Sequence, residues 1–166
     1  GRKQRVHAVE QLSLSIAEKE IVGLVGESGS GKSTLGKTIV GLLDKTSGSV
    51  KFRGETLPQK YAPADFQRLA TKMQMIFQDP YSSLNPRMTV GEIIAEGLRL
   101  HSDKKAPEIK ETVADWLLKV GLQANHMSRY PHEFSGGQRQ RIGIARAMIL
   151  GPEFVVCDEP ISALDV

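Results

Sequence analysis

Two short stretches of this sequence have the composition of anion-binding loops. The first is Gly26-Glu27-Ser28-Gly29-Ser30-Gly31-Lys32-Ser33, which fits the pattern G-x-x-x-x-G-K-[ST]. In that pattern backbone N–H groups cradle phosphate oxygens, Lys32 reaches the β- and γ-phosphates, and the Ser33 hydroxyl ligates Mg²⁺. The pattern requires a buried strand before the loop and a helix after it. The residues on both sides predict that context, so we favour a phosphate site over a chance glycine-rich turn.

The second stretch is Ser135-Gly136-Gly137-Gln138, which opens a predicted helix. Ser135 can serve as the N-cap, and Gln138 stands three residues later, the spacing of a capping box. Two glycines in a first turn are unfavourable, at on the order of 1 kcal/mol each relative to alanine. They leave bare backbone N–H groups at the positive end of the helix, where an anion binds. The chain therefore has two predicted anion sites.

Polar residues also follow two apolar runs, at residues 73–77 and 154–157. Asp158 offers a carboxylate to a magnesium ion opposite Ser33, and Glu159 could polarise a water for attack on the γ-phosphate. Gln78 could contact the metal or the water. Each of these residues alone is typical of any strand end. Together with the glycine-rich loop they favour a magnesium-dependent phosphate site.

The periodicity of apolar residues predicts an α/β fold. We expect strands at residues 12–16, 21–25, 50–53, 73–77 and 154–157. Helices are expected from the glycine-rich loop to Leu42, from Thr89 toward Leu100, from about Pro107 to Val120, and from Ser135 to about Leu150. Ile109, Val113, Trp116, Leu117 and Val120 form the apolar stripe of the third helix, with Gly121 as its end. This order predicts a parallel-sheet core in residues 1–79 and 151–166, with a helical subdomain in residues 80–150.

The bulk composition excludes several classes of protein. The 166 residues suffice for a real core, and a net charge of +3 with interspersed signs argues against a nucleic-acid partner. One cysteine, Cys157, excludes a disulfide framework, and no apolar run reaches the ~18–20 residues of a membrane span. The histidines show no metal-ligand spacing, and we interpret them as surface residues: His7, His101, His126 and His132.

In their order, these motifs resemble the ATPase domain of ATP-binding cassette (ABC) proteins, which has a P-loop NTPase fold. The matching segments are the Walker A loop at 26–33, the Q-loop at Gln78, the signature at 135–138, the Walker B end at Asp158-Glu159, and the D-loop Ser162-Ala163-Leu164-Asp165. In this family two cassettes pair head to tail. The resemblance implies that the second anion site contacts the ATP held by a partner cassette.

A finer resemblance, over residues 76–98 and 130–148, is to the ATPase subunits of oligopeptide, dipeptide and glutathione importers. It implies hydrolysis of ATP at the cytoplasmic face of the inner membrane by a peripheral subunit. The implied partners are a second cassette, membrane permease subunits that dock on residues 80–100, and, indirectly, an extracytoplasmic solute-binding protein. The implied magnesium ligands are Ser33, Gln78 and Asp158, and Glu159 and Gln78 are the implied catalytic residues. The implied ATP-binding residues are Gly26, Glu27, Ser28, Gly29, Ser30, Gly31, Lys32, Ser33 and Thr34.

The sequence also departs from the family pattern. No switch histidine follows the D-loop, and no aromatic residue precedes Walker A to stack on adenine. We therefore expect this chain alone to hydrolyse ATP slowly or not at all. Two alternatives stay open: a translation-associated or chromosome-maintenance ABC ATPase, and a nucleotide-binding module without turnover. A chromosome-maintenance protein needs a long coiled coil between Walker A and the signature, and no sustained heptads occur there.

Overall fold

The computed structural model describes residue 9, residues 12–79 and residues 82–158. It divides into two compact units, one reaching Tyr61 and one beginning at Ala62. Each unit is described by itself below. The sequence-based division, with boundaries after residues 79 and 150, stays a prediction. None of the helices described is long and apolar enough to cross a membrane.

The described residues of the first unit form one helix and one hairpin. Helix α1 spans Lys32–Ile39, directly after the glycine-rich loop as predicted. Strands β1 (Lys51–Phe52) and β2 (Glu55–Thr56) pair antiparallel, with Phe52 opposite Glu55. Gly54 closes the turn between them with φ 81°, a left-handed conformation that glycine adopts without strain. The strand predicted at 50–53 is therefore confirmed in its central part.

The strands predicted at residues 12–16 and 21–25 are wrong for this structure. Both stretches lack regular secondary structure, and Ile21 and Val25 are 98% and 95% exposed. A strand exists only where a neighbouring strand takes its N–H and C=O groups. No strand in the described residues pairs with either stretch, so apolar patterning alone does not make them strands.

Helix α1 also ends earlier than its apolar pattern predicts. Gly41 has φ 80°, and a Cβ there would lie 2.3 Å from the ring of Tyr61. The chain therefore turns away after Ile39, and Leu42 lies outside the helix with 48% exposure. The tyrosine hydroxyl donates a hydrogen bond to the carbonyl of Ile39 at 3.1 Å, which holds this turn.

The second unit begins with helix α2, Pro63–Leu69, which the sequence analysis missed. Strand β3 (Met73–Ile76) follows, and it pairs parallel with β4 (Phe154–Cys157) in the register Met73↔Phe154 to Ile76↔Cys157. Both apolar runs are confirmed as strands. Their carboxyl ends lie side by side, which brings the residues that follow them to one edge of the pair.

A helical layer connects these two strands. It consists of α3 (Val90–His101), α4 (Ala106–Lys119), two 3₁₀ turns (Ala124–Ser128 and Pro131–Glu133) and α5 (Gly136–Met148). The largest fully buried side chains belong to this layer: Val90, Ile93, Ile94, Val113, Leu117 and Ile142. Burial of these apolar side chains holds α3, α4 and α5 together. The three long helices confirm the helices predicted from Thr89, Pro107 and Ser135.

The predicted details of α4 are mostly correct. Ile109, Val113 and Leu117 are buried, and Gly121 has φ 75° just after the helix. Trp116 is only half-buried: it packs against the core from its edge, with the Lys119 ammonium 4.8 Å from the ring centroid. Of the histidines interpreted as surface residues, His132 is exposed, whereas His101 and His126 are half-buried and His7 lies outside the described residues.

Candidate functional site

The glycine-rich loop folds as a compact turn into α1. Gly29 and Gly31 have φ of 82° and 93°, which an L-residue with a side chain rarely adopts. A Cβ on Gly26 would lie 2.7 Å from the Ser30 hydroxyl, so the loop closes tightly there. The glycines of the motif are thus used for backbone shape, which leaves the backbone open to an approaching ligand.

Lys32 lies across this loop. Its ammonium donates hydrogen bonds to the carbonyl oxygens of Gly26 at 2.7 Å and Glu27 at 2.8 Å. Among the described residues no side chain caps the N-terminus of α1, where Gly31 is the N-cap, and no acidic residue lies in its first turn. A positive helix end and a cation therefore converge on the loop, an arrangement suited to phosphate. Ser33 and Thr34 belong to the first turn of α1.

The second predicted anion site has the capping geometry that its sequence indicates. The Ser135 hydroxyl accepts from the backbone N–H of Gln138 at 3.3 Å, and the Gln138 side chain accepts from the N–H of Ser135 at 3.0 Å. The described first turn of α5 contains no acidic residue. Gly136 and Gly137 place no side chain over this helix end, so its backbone dipole faces outward beside an exposed serine.

The third predicted group lies at the carboxyl edge of β3 and β4. The backbone N–H of Asp158 donates to the carbonyl of Ile76 at 2.9 Å, which continues the ladder one residue past β4. Asp158 is 9% exposed, and Gln78 follows β3 at the same edge. The strand register thus places Gln78 and Asp158 at the same edge of the strand pair. Ser33 belongs to the other compact unit, and Glu159 and the D-loop 162–165 lie outside the described residues.

A groove between α3 and α4 was missed by the sequence analysis. It has a volume of about 510 Å³, and buried apolar residues, including Ala95, Ile109 and Val113, lie along it. Lys104 and Lys110 line it as well, and both are exposed. The signal in the sequence was the set of lysines that flank the apolar stripe of α4. The remaining lining residues are Thr89, Gly91, Glu92, Arg99, Ala106 and Met127.

Sequence comparison finds relatives over nearly the whole chain. The family model described as ABC transporter matches residues 9–162. The oligopeptide transport ATP-binding protein OppF of Bacillus subtilis is 56% identical over 97% of this chain. The OppF protein of Escherichia coli is 55% identical over 96% of it. The chain spans about half the length of these relatives, 53% and 48% respectively.

Solved structures agree with the sequence relatives. A dimeric ATP-binding cassette, MJ0796, in a post-hydrolysis state with ADP and Pi, matches with a TM-score of 0.87 and 29% identity, over 95% of this chain and 68% of that one. The cbiO1 protein of Clostridium perfringens, part of the transporter complex cbiONQ, matches with a TM-score of 0.79 and 26% identity, over 95% and 61%. The predicted P-loop NTPase fold is thereby confirmed, and the chain belongs to the ABC transporter family.

Proposed function

We propose that this chain is the ATP-binding and ATP-hydrolysing part of a subunit that powers an importer of peptides or a related small solute. The observation that carries the proposal is the pair of helix N-termini in one chain, α1 beneath the glycine-rich loop and α5 behind Ser135. An enzyme that only binds its own nucleotide needs one such site. The names of the OppF relatives support peptide as the solute.

The glycine-rich loop holds the phosphates of ATP in this proposal. Residues 26–34 supply backbone N–H groups, and Lys32 exchanges its bonds to loop carbonyls for bonds to the β- and γ-phosphate oxygens. Ser33, Gln78 and Asp158 would hold Mg²⁺, since a hydroxyl, an amide oxygen and a carboxylate are oxygen ligands that this ion accepts. The ion would supply charge neutralisation at the phosphates. Glu159 takes the proton of the attacking water.

The signature completes the site of a second subunit. Residues Ser135 to Gln138 present the positive end of α5 to the γ-phosphate that the partner's glycine-rich loop holds. Nucleotide that binds the paired subunits more tightly than the separate subunits stabilises their association. ATP therefore joins the cassettes and hydrolysis releases them. The dimeric form of the MJ0796 cassette supports this arrangement, and the D-loop 162–165 is proposed to lie at the same interface.

The groove between α3 and α4 is proposed to receive a cytoplasmic segment of the permease. Its buried apolar lining can take an apolar anchor, and Lys104, Lys110 and Arg99 favour carboxylates on the incoming segment. The carboxylate of Glu92, also in the lining, is already hydrogen-bonded to the backbone N–H of Thr89 at 2.7 Å. The subunit would then be peripheral, at the cytoplasmic face of the membrane, with a solute-binding protein on the other side.

Replacement of Lys32 by alanine in the full-length subunit tests the nucleotide site. We expect ATP affinity, measured by calorimetry, to fall by about 10- to 150-fold, because a charged hydrogen bond contributes ~1.5–3 kcal/mol. Lys37→Ala, in the last turn of α1, is the matched control and should bind ATP normally. Circular dichroism shows whether the variant is folded. Unchanged ATP affinity in folded Lys32→Ala would remove this lysine from the site.

A further inference from the structure

Arg146 of α5 contacts the chain that leaves β3. Its Nη1 donates a hydrogen bond to the carbonyl oxygen of Ser83 at 2.5 Å, across 63 residues of sequence. Ser83 lies after Gln78 on the connection from β3 to α3. A bond from a guanidinium to a carbonyl oxygen is charge-assisted and therefore strong. It fixes the distance between this connection and the C-terminal half of α5.

The environment of Arg146 indicates that this contact is specific. Burial lowers the pKa of the Arg146 guanidinium, and the negative charge of Glu96 on α3 acts in the opposite direction. Arginine nevertheless stays protonated in proteins. Desolvating a permanent charge disfavours folding unless a partner compensates. The Ser83 carbonyl and the nearby carboxylate provide that compensation.

Gln140 lies on the same side of α5 as Arg146. With Gly143 between them, these residues line a small cavity of about 10 Å³ together with Ile76 and Phe77 at the end of β3. Gln140 is 5% exposed, and in the described part of the chain its Nε2 has no hydrogen-bond partner. Leaving a buried donor unpaired is unfavourable. The Gln140 amide nitrogen lies beside the end of β3, just before Gln78.

We propose that Arg146 and Gln140 are positioning residues that couple the connection after Gln78 to the signature helix. Arg146 holds the connection at Ser83. When the permease displaces this connection, the side-chain amide of Gln140 donates a hydrogen bond to one of the carbonyl oxygens of the connection. The signature Ser135–Gln138 lies at the other end of α5, a helix of 13 residues and about 20 Å. A movement of the connection near Gln78 is thereby transmitted along α5 to the nucleotide of the partner cassette. The inference rests on the proposed function, which supplies the permease and the partner cassette.

The test uses the full-length subunit assembled with its permease in lipid nanodiscs. The quantity measured is permease stimulation, the ATP turnover of the complex divided by that of the detached subunit. Arg146→Met should lower stimulation by about fivefold or more, the size of an ordinary coupling between sites. ATP affinity and the turnover of the detached subunit should stay within about twofold. Arg146→Lys, which keeps a charged donor, should restore part of the stimulation. Arg141→Met, at an exposed position of α5, is the control.

Gln140→Met keeps the side-chain length and removes the unpaired donor. We expect lower stimulation at an unchanged or higher melting temperature, a combination that a packing role alone does not give. This arm decides the question even where Arg146→Met does not fold. Wild-type stimulation in Gln140→Met, or equal losses in Arg146→Met and Arg146→Lys, would overturn the coupling role. A wild-type complex without ATP turnover would instead refute the proposed function.

Discussion

Replacing Gly91 with alanine tests how α3 packs against the turn that follows α4. A Cβ at this position would lie 2.3 Å from Cγ of Met127 and 2.9 Å from the Met127 carbonyl oxygen. The second contact is with backbone, which is anchored nearby because the N–H of Val90 donates to the carbonyl of Arg129 at 2.8 Å. The side chain of Met127 can turn away, whereas its backbone is held two residues further on by the bond at Arg129.

Two opposing effects set the change in the free energy of unfolding that Gly91→Ala produces. Overpacking a tight interface costs ~1–3 kcal/mol. Alanine in place of a helical glycine recovers up to ~1 kcal/mol. We therefore expect Gly91→Ala to be less stable than wild type by about 1–2 kcal/mol. Gly143→Ala is the matched control, because a Cβ there meets no atom within 4 Å, and it should gain up to ~1 kcal/mol.

Hydrogen exchange on the full-length protein measures this difference locally. The two variants should differ in stability by about 1–3 kcal/mol. Protected amides of the helical layer should therefore exchange about 5- to 150-fold faster in Gly91→Ala than in Gly143→Ala, since 1.4 kcal/mol is a factor of ten. Equal protection in the two variants would refute the reasoning. It would mean that Met127 and its backbone move aside without loss of stability, so that the contact with Gly91 does not constrain α3.

Two further predictions concern the capping boxes. Hydrogen bonds from the Thr89 N–H and hydroxyl lower the pKa of Glu92 below its ordinary value of 4.5. The stabilisation that these bonds give to the folded state is therefore fully present at a pH above 4.5 and is lost as the pH falls through the lowered pKa. Acid should therefore increase amide exchange in the first turn of α3, and Glu92→Gln should remove that dependence; equal acid sensitivity in both would contradict it. Ser135→Ala should destabilise α5 by about 1 kcal/mol, whereas Ser135→Thr keeps the acceptor. Exchange of the Gln138 amide measures this, and an unchanged rate in Ser135→Ala would show that the cap contributes nothing.

Features that depend on neighbours in sequence were predictable. The capping boxes at Thr89 and Ser135 each join residues three apart, so their geometry follows from the local chain. The glycine-rich loop and the buried stripe of α4 are likewise local patterns. The strands β3 and β4 were found because each is a short apolar run that ends in polar residues.

Features that depend on distant partners were not predictable. Residues 21–25 have the apolar run of a buried strand, but the described chain provides no strand to pair with them. The contact of Arg146 with Ser83 and the groove between α3 and α4 join segments far apart in sequence. Helix α2 is short, and its apolar pattern spans few residues, so Pro63 at its start was the only clear signal.

ATP-dependent pairing of the full-length subunit tests the central claim most directly. Glu159→Gln keeps the shape of the side chain but cannot accept the proton of water, so ATP should persist between two cassettes. Size exclusion should then show a dimer with Mg-ATP and a monomer without it, and the double variant Lys32→Ala/Glu159→Gln should stay monomeric in both conditions. A Glu159→Gln protein that remains monomeric with Mg-ATP, or hydrolyses ATP at the wild-type rate, would contradict the account.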